Sequence, residues 1–271
     1  MARRVLAHAD FPGSFKSIDP TPCHGSARPQ ESGSTIAFSV QDTENGTPHT
    51  ISVSDVTTRH LRRLKQSASD FSGKTVTSAV ISVPTDASEA QKEALAKAAE
   101  NAQVNVLQFI AEPIAALMAY DAREDHADKV VVVADLGGNR SDVAVIASRG
   151  GMYSILATAH DYELGGIKLD QVLVDHSAKE FIKKHRTDPR ENDKSLAKLK
   201  LEAESVKKAL SLSASATFSV ESLADGLDFR STVNKTRYEL LAGKMFQIFT
   251  RLIEEAVKKA DLDLLDVDEV R

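Results

Sequence analysis

Hydrophobic positions in this chain fall into short alternating runs and longer helical stripes, and the two periods divide it into elements. Ser34–Gln41 and Thr47–Val53 alternate as strands do. Asn45-Gly46 between them predicts a tight hairpin, because both central positions of such a turn need positive φ. Val56, His60, Leu61 and Leu64 are spaced for an amphipathic helix over Ser54–Ser69. Val76–Val83 reads as a buried strand stopped by Pro84. Ser88-Glu89-Ala90-Gln91 predicts a capping box, in which serine and glutamine side chains each accept from the other's backbone N–H. A strand over Val104–Ile110 comes next, and Pro113 suits the first turn of a helix over Ile114–Tyr120. Lys129–Asp135, Ser141–Ala147 and Met152–Thr158 predict three strands joined by turns at Leu136–Arg140 and Arg149–Gly151. Helices are expected over Lys168–His185, Asp193–Leu212 and Lys235–Ala260, with a hairpin around Ala224-Asp225-Gly226 between the last two. Strand and helix in alternation predict an α/β fold, and no repeat of solenoid period is present.

Composition narrows the classes. A chain of 271 residues can bury a large core as one domain or two lobes. Its net charge of -5 gives no electrostatic case for direct nucleic-acid binding. The longest apolar run, Val130–Ala134, is too short to span a bilayer, so no membrane association is expected. Met1-Ala2-Arg3-Arg4 is basic, but no apolar stretch of signal-peptide length follows it. A single cysteine, Cys23, excludes an internal disulfide and suits a reducing compartment, so a cytoplasmic location is expected. Residues 1–50 are rich in Ser, Pro, Gly and His and show little periodicity before the first hairpin.

Two constellations carry chemistry. In Asp135-Leu136-Gly137-Gly138-Asn139-Arg140-Ser141-Asp142 a strand delivers a carboxylate to a glycine turn and a second strand leaves it. Glycine lets backbone N–H groups approach phosphate oxygens, and Asp135 at the strand end could orient water around a hydrated Mg²⁺. The same residues also suit a plain acidic hairpin with no ligand. No Gly-Lys-Ser/Thr follows, so this is not a Walker loop. The second constellation, Glu204, Lys207, Lys208 and Ser211, sits at i, i+3, i+4 and i+7, one face of a helix. Charged faces of this kind are usually solvated and nothing more.

Five segments in order and spacing give these residues a context. Ile81-Ser82-Val83-Pro84, Glu112-Pro113-Ile114-Ala115-Ala116, Asp135–Asp142, Leu164-Gly165-Gly166 and Glu204–Ser211 resemble successive signatures of the DnaK-type seventy-kilodalton heat-shock chaperones, over about residues 50–270. The resemblance implies an actin-like, ribonuclease-H-like ATPase fold of two lobes. Residues 1–50 would be a remnant of the outer part of lobe I, 51–125 its inner part, 126–164 the inner part of lobe II, 165–242 its outer part and 243–271 the return to the inner part. It also implies ATP with Mg²⁺ as ligands. Asp135, Gly137, Gly138, Asn139 and Arg140 would lie on the phosphate loop, with Asp135 reaching the metal through water. Gly165 and Gly166 would lie beside the nucleotide, and Glu204, Lys207, Lys208 and Ser211 at ribose and adenine. Glu112 matches the family's water-positioning glutamate, although a carboxylate at a helix start next to Pro113 is also favoured by the helix dipole.

Departures from the family pattern modify the expectation. Asn139-Arg140 stands where the family has Gly-Thr, replacing a hydroxyl at the γ-phosphate by a long cation, so binding with little or no hydrolysis is expected. Lys208 replaces an arginine that stacks on adenine, and Ala111 and Ile114 replace polar neighbours of Glu112. The resemblance also implies a segment incomplete at both ends, lacking one phosphate hairpin and the last adenosine loop, and hence weak nucleotide binding. Asn139-Arg140 and Phe15–His24 resemble the atypical ribosome-associated members of fungi. That subgroup implies a zuotin-like J-domain co-chaperone, the ribosome and nascent or unfolded polypeptide as partners. An active ATP-hydrolysing chaperone domain, an actin-fold kinase and a structural subunit are the alternatives.

Overall fold

The structure, a computed structural model, describes residues 29–32, 35–40, 47, 49–121 and 128–271, which fall into two compact units, one ending at residue 121 and the other starting at 128. In the first, strands β1 (Pro29–Ser32), β2 (Thr35–Val40) and β3 (His49–Ser52) form an antiparallel sheet in that order. Phe38 on β2 faces Ile51 on β3, and both are buried. The expected Asn45-Gly46 turn lies outside the described residues. Val53, expected to end the strand, instead begins helix α1 (Val53–Ser72), because Ser52 and Asp55 form a reciprocal capping box. Gly73, at φ +64°, ends the helix in the left-handed conformation that glycine takes at no steric cost.

The apolar residues of α1 mark only part of its buried face: Val56 is part-buried and Leu61 packs against Ala99, Ala102 and Val104. His60 is exposed and Leu64 is 52% exposed, whereas Thr57 and Thr58 are buried. Their hydroxyls donate to backbone carbonyls, Thr57 to Val53 and Thr58 to Ala98 of α2 (Glu89–Asn101), and a polar side chain satisfied in this way packs as well as an apolar one. Arg62 and Lys65 reach the Asn101 and Gln103 carbonyls, placing cations at the negative end of α2. At its other end α2 carries the expected box, with Gln91 N–H donating to Ser88 Oγ and Ser88 N–H to Gln91 Oε1. Strands β4 (Ser78–Val83) and β5 (Asn105–Ala111) pair in parallel on either side of α2 in sequence, and Ala99, Ala102 and Val104 form the small core beneath. The expected burial of β4 is only partial. It has one strand partner among the described residues, and Val80 is 55% exposed. Helix α3 (Glu112–Asp121) follows β5 directly.

In the second unit β6 (Lys129–Leu136), β7 (Ser141–Arg149) and β8 (Met152–Asp161) form an antiparallel meander, and the short β11 (Glu269–Val270) adds in parallel beside β6. That last strand has no alternating pattern of its own. Arg271 extends the pairing, donating to the Val132 carbonyl and accepting from Ala134 N–H. Helices α4 (Gly166–His185) and α5 (Asp193–Leu212) and the hairpin β9 (Ser215–Ala224) and β10 (Leu227–Asn234) enclose a second core. There Phe181, Phe218 and Phe229 are fully buried in edge-to-face contacts about 6 Å apart. Asp225 and Gly226 supply the two positive φ angles of the hairpin turn. Helix α6 (Lys235–Lys259) serves both cores, giving Tyr238 and Ala242 to the second and Leu252, Ala256 and Val257 to the sheet. Between those two sets lies Gly243, where a Cβ would meet nothing within 4 Å. Among the described residues no helix is long and apolar enough to cross a membrane.

Val131, Val133, Val143 and Val145 are all buried in β6 and β7. Truncating any one of them to alanine is expected to cost about 1–3 kcal/mol in urea unfolding, through lost transfer energy and the cavity left. Val80→Ala, at the exposed position on β4, should stay within about 0.5 kcal/mol of the parent.

Candidate phosphate turn and its supports

The turn from β6 to β7 carries an internal bond from Gly137 N–H to the Arg140 carbonyl at 3.0 Å. Its two glycine carbonyls point at the start of α4: Gly166 N–H donates to Gly137 O and Ile167 N–H to Gly138 O, each at 2.9 Å. Two of the N–H groups that a helix N-terminus leaves without an intrahelical partner are thereby satisfied. The approach requires Gly165, where a Cβ would lie 2.7 Å from the Gly138 carbonyl oxygen. In a trans peptide the N–H points opposite to the C=O. The N–H groups of Gly138 and Asn139 therefore face away from the helix, and neither makes a hydrogen bond among the described residues. Two adjacent outward donors at an exposed turn make a candidate anion nest. Sequence reasoning places Gly137, Gly138, Gly165 and Gly166 near one ligand; the structure joins all four by backbone contacts.

The acidic and basic residues are less alike than their spacing suggests. Asp135 is exposed at the end of β6, directly across the ladder from Asp142 on β7. Arg140 is only 8% exposed. Its guanidinium is paired with the Asp142 carboxylate and lies over the Tyr162 ring, 4.5 Å from the centroid. Ser141 Oγ, fully buried, donates to the Leu164 carbonyl and ties the turn a second time to the glycine pair. Among the described residues no three His, Cys, Asp or Glu side chains converge as a metal site. Asp142 is engaged by Arg140, and Asp135 is the exposed carboxylate of the two.

On α5 the four predicted residues separate into two pairs. Glu204 and Lys208 form an i,i+4 ion pair at 2.8 Å near the surface. The pair raises the pKa of Lys208, through the Glu204 hydrogen bond first. Lys207 turns inward, donating to the Gly166 carbonyl at 2.9 Å and pairing with Asp170 of α4 at 2.7 Å. Ser211 Oγ donates back to the Lys207 carbonyl at 3.4 Å. Burial pushes the Asp170 carboxyl above its ordinary range, and the hydrogen bond and charge of Lys207 pull the other way. Tyr238 of α6 is pushed up to about 12, by burial first and then by the charge of Asp170. Sequence reasoning assigns no role to Asp142, Tyr162, Asp170 or Tyr238. Asp170, one turn after Gly166 and on the side of α4 that meets α5, carries the only signal that could have been read. Glu112 lies in the other unit, part-buried in the first turn of α3.

Residues 28–271 match the Hsp70 protein family. The chain is 45% identical over 268 residues to the ribosome-associated complex subunit SSZ1 of Saccharomyces cerevisiae, covering 98% of this chain and 50% of that protein. It is 44% identical over 253 residues to a heat shock protein 70 homolog of Schizosaccharomyces pombe, covering 92% and 45%. It is 34% identical over 228 residues to the heat shock cognate 70 kDa protein 3 of Dictyostelium discoideum, covering 83% and 36%. The chain thus spans about half the length, or less, of these relatives.

Lys207 and Asp170 give a pH-dependent test of the support beneath the turn. Asp170 has a raised folded pKa, so its ionisation costs stability as pH rises from the unfolded value through the folded one. Lys207→Met removes the offsetting charge and should raise that pKa further. The variant is expected to lose about 1–3 kcal/mol relative to the parent at pH 7, and less near pH 4, where Asp170 is increasingly protonated. Urea unfolding at both pH values measures this. In an Asp170→Asn background the pH dependence of the difference should vanish.

Proposed function

This chain belongs to the Hsp70 family, and on that premise we propose that it is the nucleotide-binding part of an Hsp70-type co-chaperone that holds ATP with little or no hydrolysis. The mixed α/β architecture is that of the Hsp70 and actin-like ATPases, a family whose nucleotide-binding domains generally bind ATP with Mg²⁺. One observation carries the reading. The Gly137 and Gly138 carbonyls are both engaged by the start of α4, and this turns the Gly138 and Asn139 N–H groups outward as a pair. Phosphate oxygens are the natural acceptors for such a pair. Lys207, anchored on the Gly166 carbonyl and Asp170, fixes α5 against the same junction. Glu204, Lys208 and Ser211 on that helix would then meet the ribose and adenine.

Weak turnover follows from Arg140. Phosphoryl transfer depends on groups placed around the moving phosphate, and the family's threonine hydroxyl is replaced here by a guanidinium committed to Asp142 and Tyr162. Such a cation is not free to swing to a γ-phosphate. Two fungal relatives match at 44–45% identity, and the name of one of them is a ribosome-associated complex subunit. We extend that association to this chain: a cytoplasmic co-chaperone working at the ribosome with a zuotin-like J-domain partner, on nascent or unfolded polypeptide.

Calorimetric titration with ATP tests the site. A Cβ on Gly138 would meet nothing within 4 Å, so Gly138→Val should fold normally and place its side chain in the open space before the nest. It is expected to weaken ATP binding at least about tenfold, with unchanged urea unfolding. Phosphate release by the parent protein should stay at the buffer background. An unaltered affinity in Gly138→Val would remove the turn from the site. Turnover abolished by Asp135→Ala would refute the non-hydrolysing reading.

A further inference from the structure

We propose that Arg140 supplies, as part of the chain, the charge neutralisation that a divalent cation would otherwise give the phosphate turn, so that ATP binds with or without metal. The proposal rests on the nucleotide-binding reading above and goes beyond it in naming the form of the ligand. Asp135 and Asp142 are cross-strand partners at the two ends of the turn. Two carboxylates at that spacing repel a polyphosphate arriving at the Gly138 and Asn139 N–H groups, and a bridging cation is the usual remedy.

Here the second carboxylate is already occupied. Asp142 Oδ1 takes the Arg140 guanidinium, and Oδ2 is buried without a hydrogen bond. Neither oxygen is presented to a metal. The guanidinium is held in place, buried against Asp142 and stacked on Tyr162. It does not lose its proton at any pH where the protein is folded, so the neutralisation is permanent. Of the two carboxylates only Asp135 is exposed to solvent. A single exposed charge in water contributes little repulsion. The metal-free nucleotide, which carries the larger negative charge, therefore meets a turn whose charge is already reduced.

The test is ATP titration in Mg²⁺ and in excess chelator, on the parent protein, Arg140→Gln, Arg140→Lys and the double variant Arg140→Gln/Asp142→Asn. The parent Kd is expected to change by less than about threefold on metal removal, and Arg140→Gln to become metal-dependent by about tenfold or more. Arg140→Lys and the double variant keep the turn's charge, so whatever their absolute affinity their Kd should be as insensitive to metal as the parent's. Loss of parent binding in chelator overturns the proposal, and so does an Arg140→Gln variant as insensitive to metal as the parent. Should Arg140→Gln fail to fold, the parent and the double variant still decide the matter. If no form binds ATP in either buffer, the nucleotide reading itself falls. Mn²⁺ paramagnetic resonance on the nucleotide-free proteins then decides the remaining claim. The parent is expected to leave the aqueous Mn²⁺ signal unchanged while Arg140→Gln diminishes it, and equal signals would overturn the charge substitution.

Discussion

The second unit is organised around two carbonyl groups. Gly137 and Gly138 each give their oxygen to the first N–H groups of α4, and those two bonds decide where the helix starts, how the turn faces and why Gly165 has no side chain. A helix N-terminus is commonly left open to bind an anion. In this chain the turn has taken that role, and its own N–H groups point outward in consequence. The polarity of the helix end is thereby passed on through two peptide planes. Ser141 on Leu164 and Lys207 on Gly166 then brace the same junction from the sheet and from α5.

Much of this was legible in the chain. Binary patterning located the helices of the second unit nearly to the residue, because long amphipathic segments with Asn192 and Asn234 caps leave little choice of boundary. The glycine pairs were legible because glycine is tolerated where backbone approaches backbone. What the sequence could not show was who partners whom. Glu204, Lys207, Lys208 and Ser211 share one periodicity, yet only Lys207 turns inward, because Asp170 sits opposite it on a different helix. Arg140 read as a long cation in place of a hydroxyl at the γ-phosphate. Asp142, two residues on, was within local reach, but only the fold brings Tyr162 beside the guanidinium, since that depends on the β7–β8 register.

The same limit explains why the face of α1 was only half legible. Apolar periodicity points to Val56, His60, Leu61 and Leu64; Val56 and Leu61 are part-buried, and the rest of the buried face is made by threonines whose hydroxyls find carbonyls on α1 itself and on α2. Pattern reasoning ranks residues by transfer energy alone, and a hydroxyl with a guaranteed acceptor escapes that ranking. Likewise β11 has too few residues for any period to show, and it is placed by bonds from Asp268 and Arg271 to β6.

Helix α6 carries one further implication. It threads both cores of the second unit, gripped near Tyr238 and Ala242 at one end and near Leu252, Ala256 and Val257 at the other, with Gly243 between the grips and no side chain there to resist bending. Mechanically this is an elastic rod with one compliant joint. Glycine within a helix lowers the stiffness of that turn while leaving its hydrogen bonds intact. Tilting of the hairpin core against the sheet would therefore concentrate its deformation near a single residue, and Met245, which packs against both clusters just beyond it, would be the side chain that has to adjust.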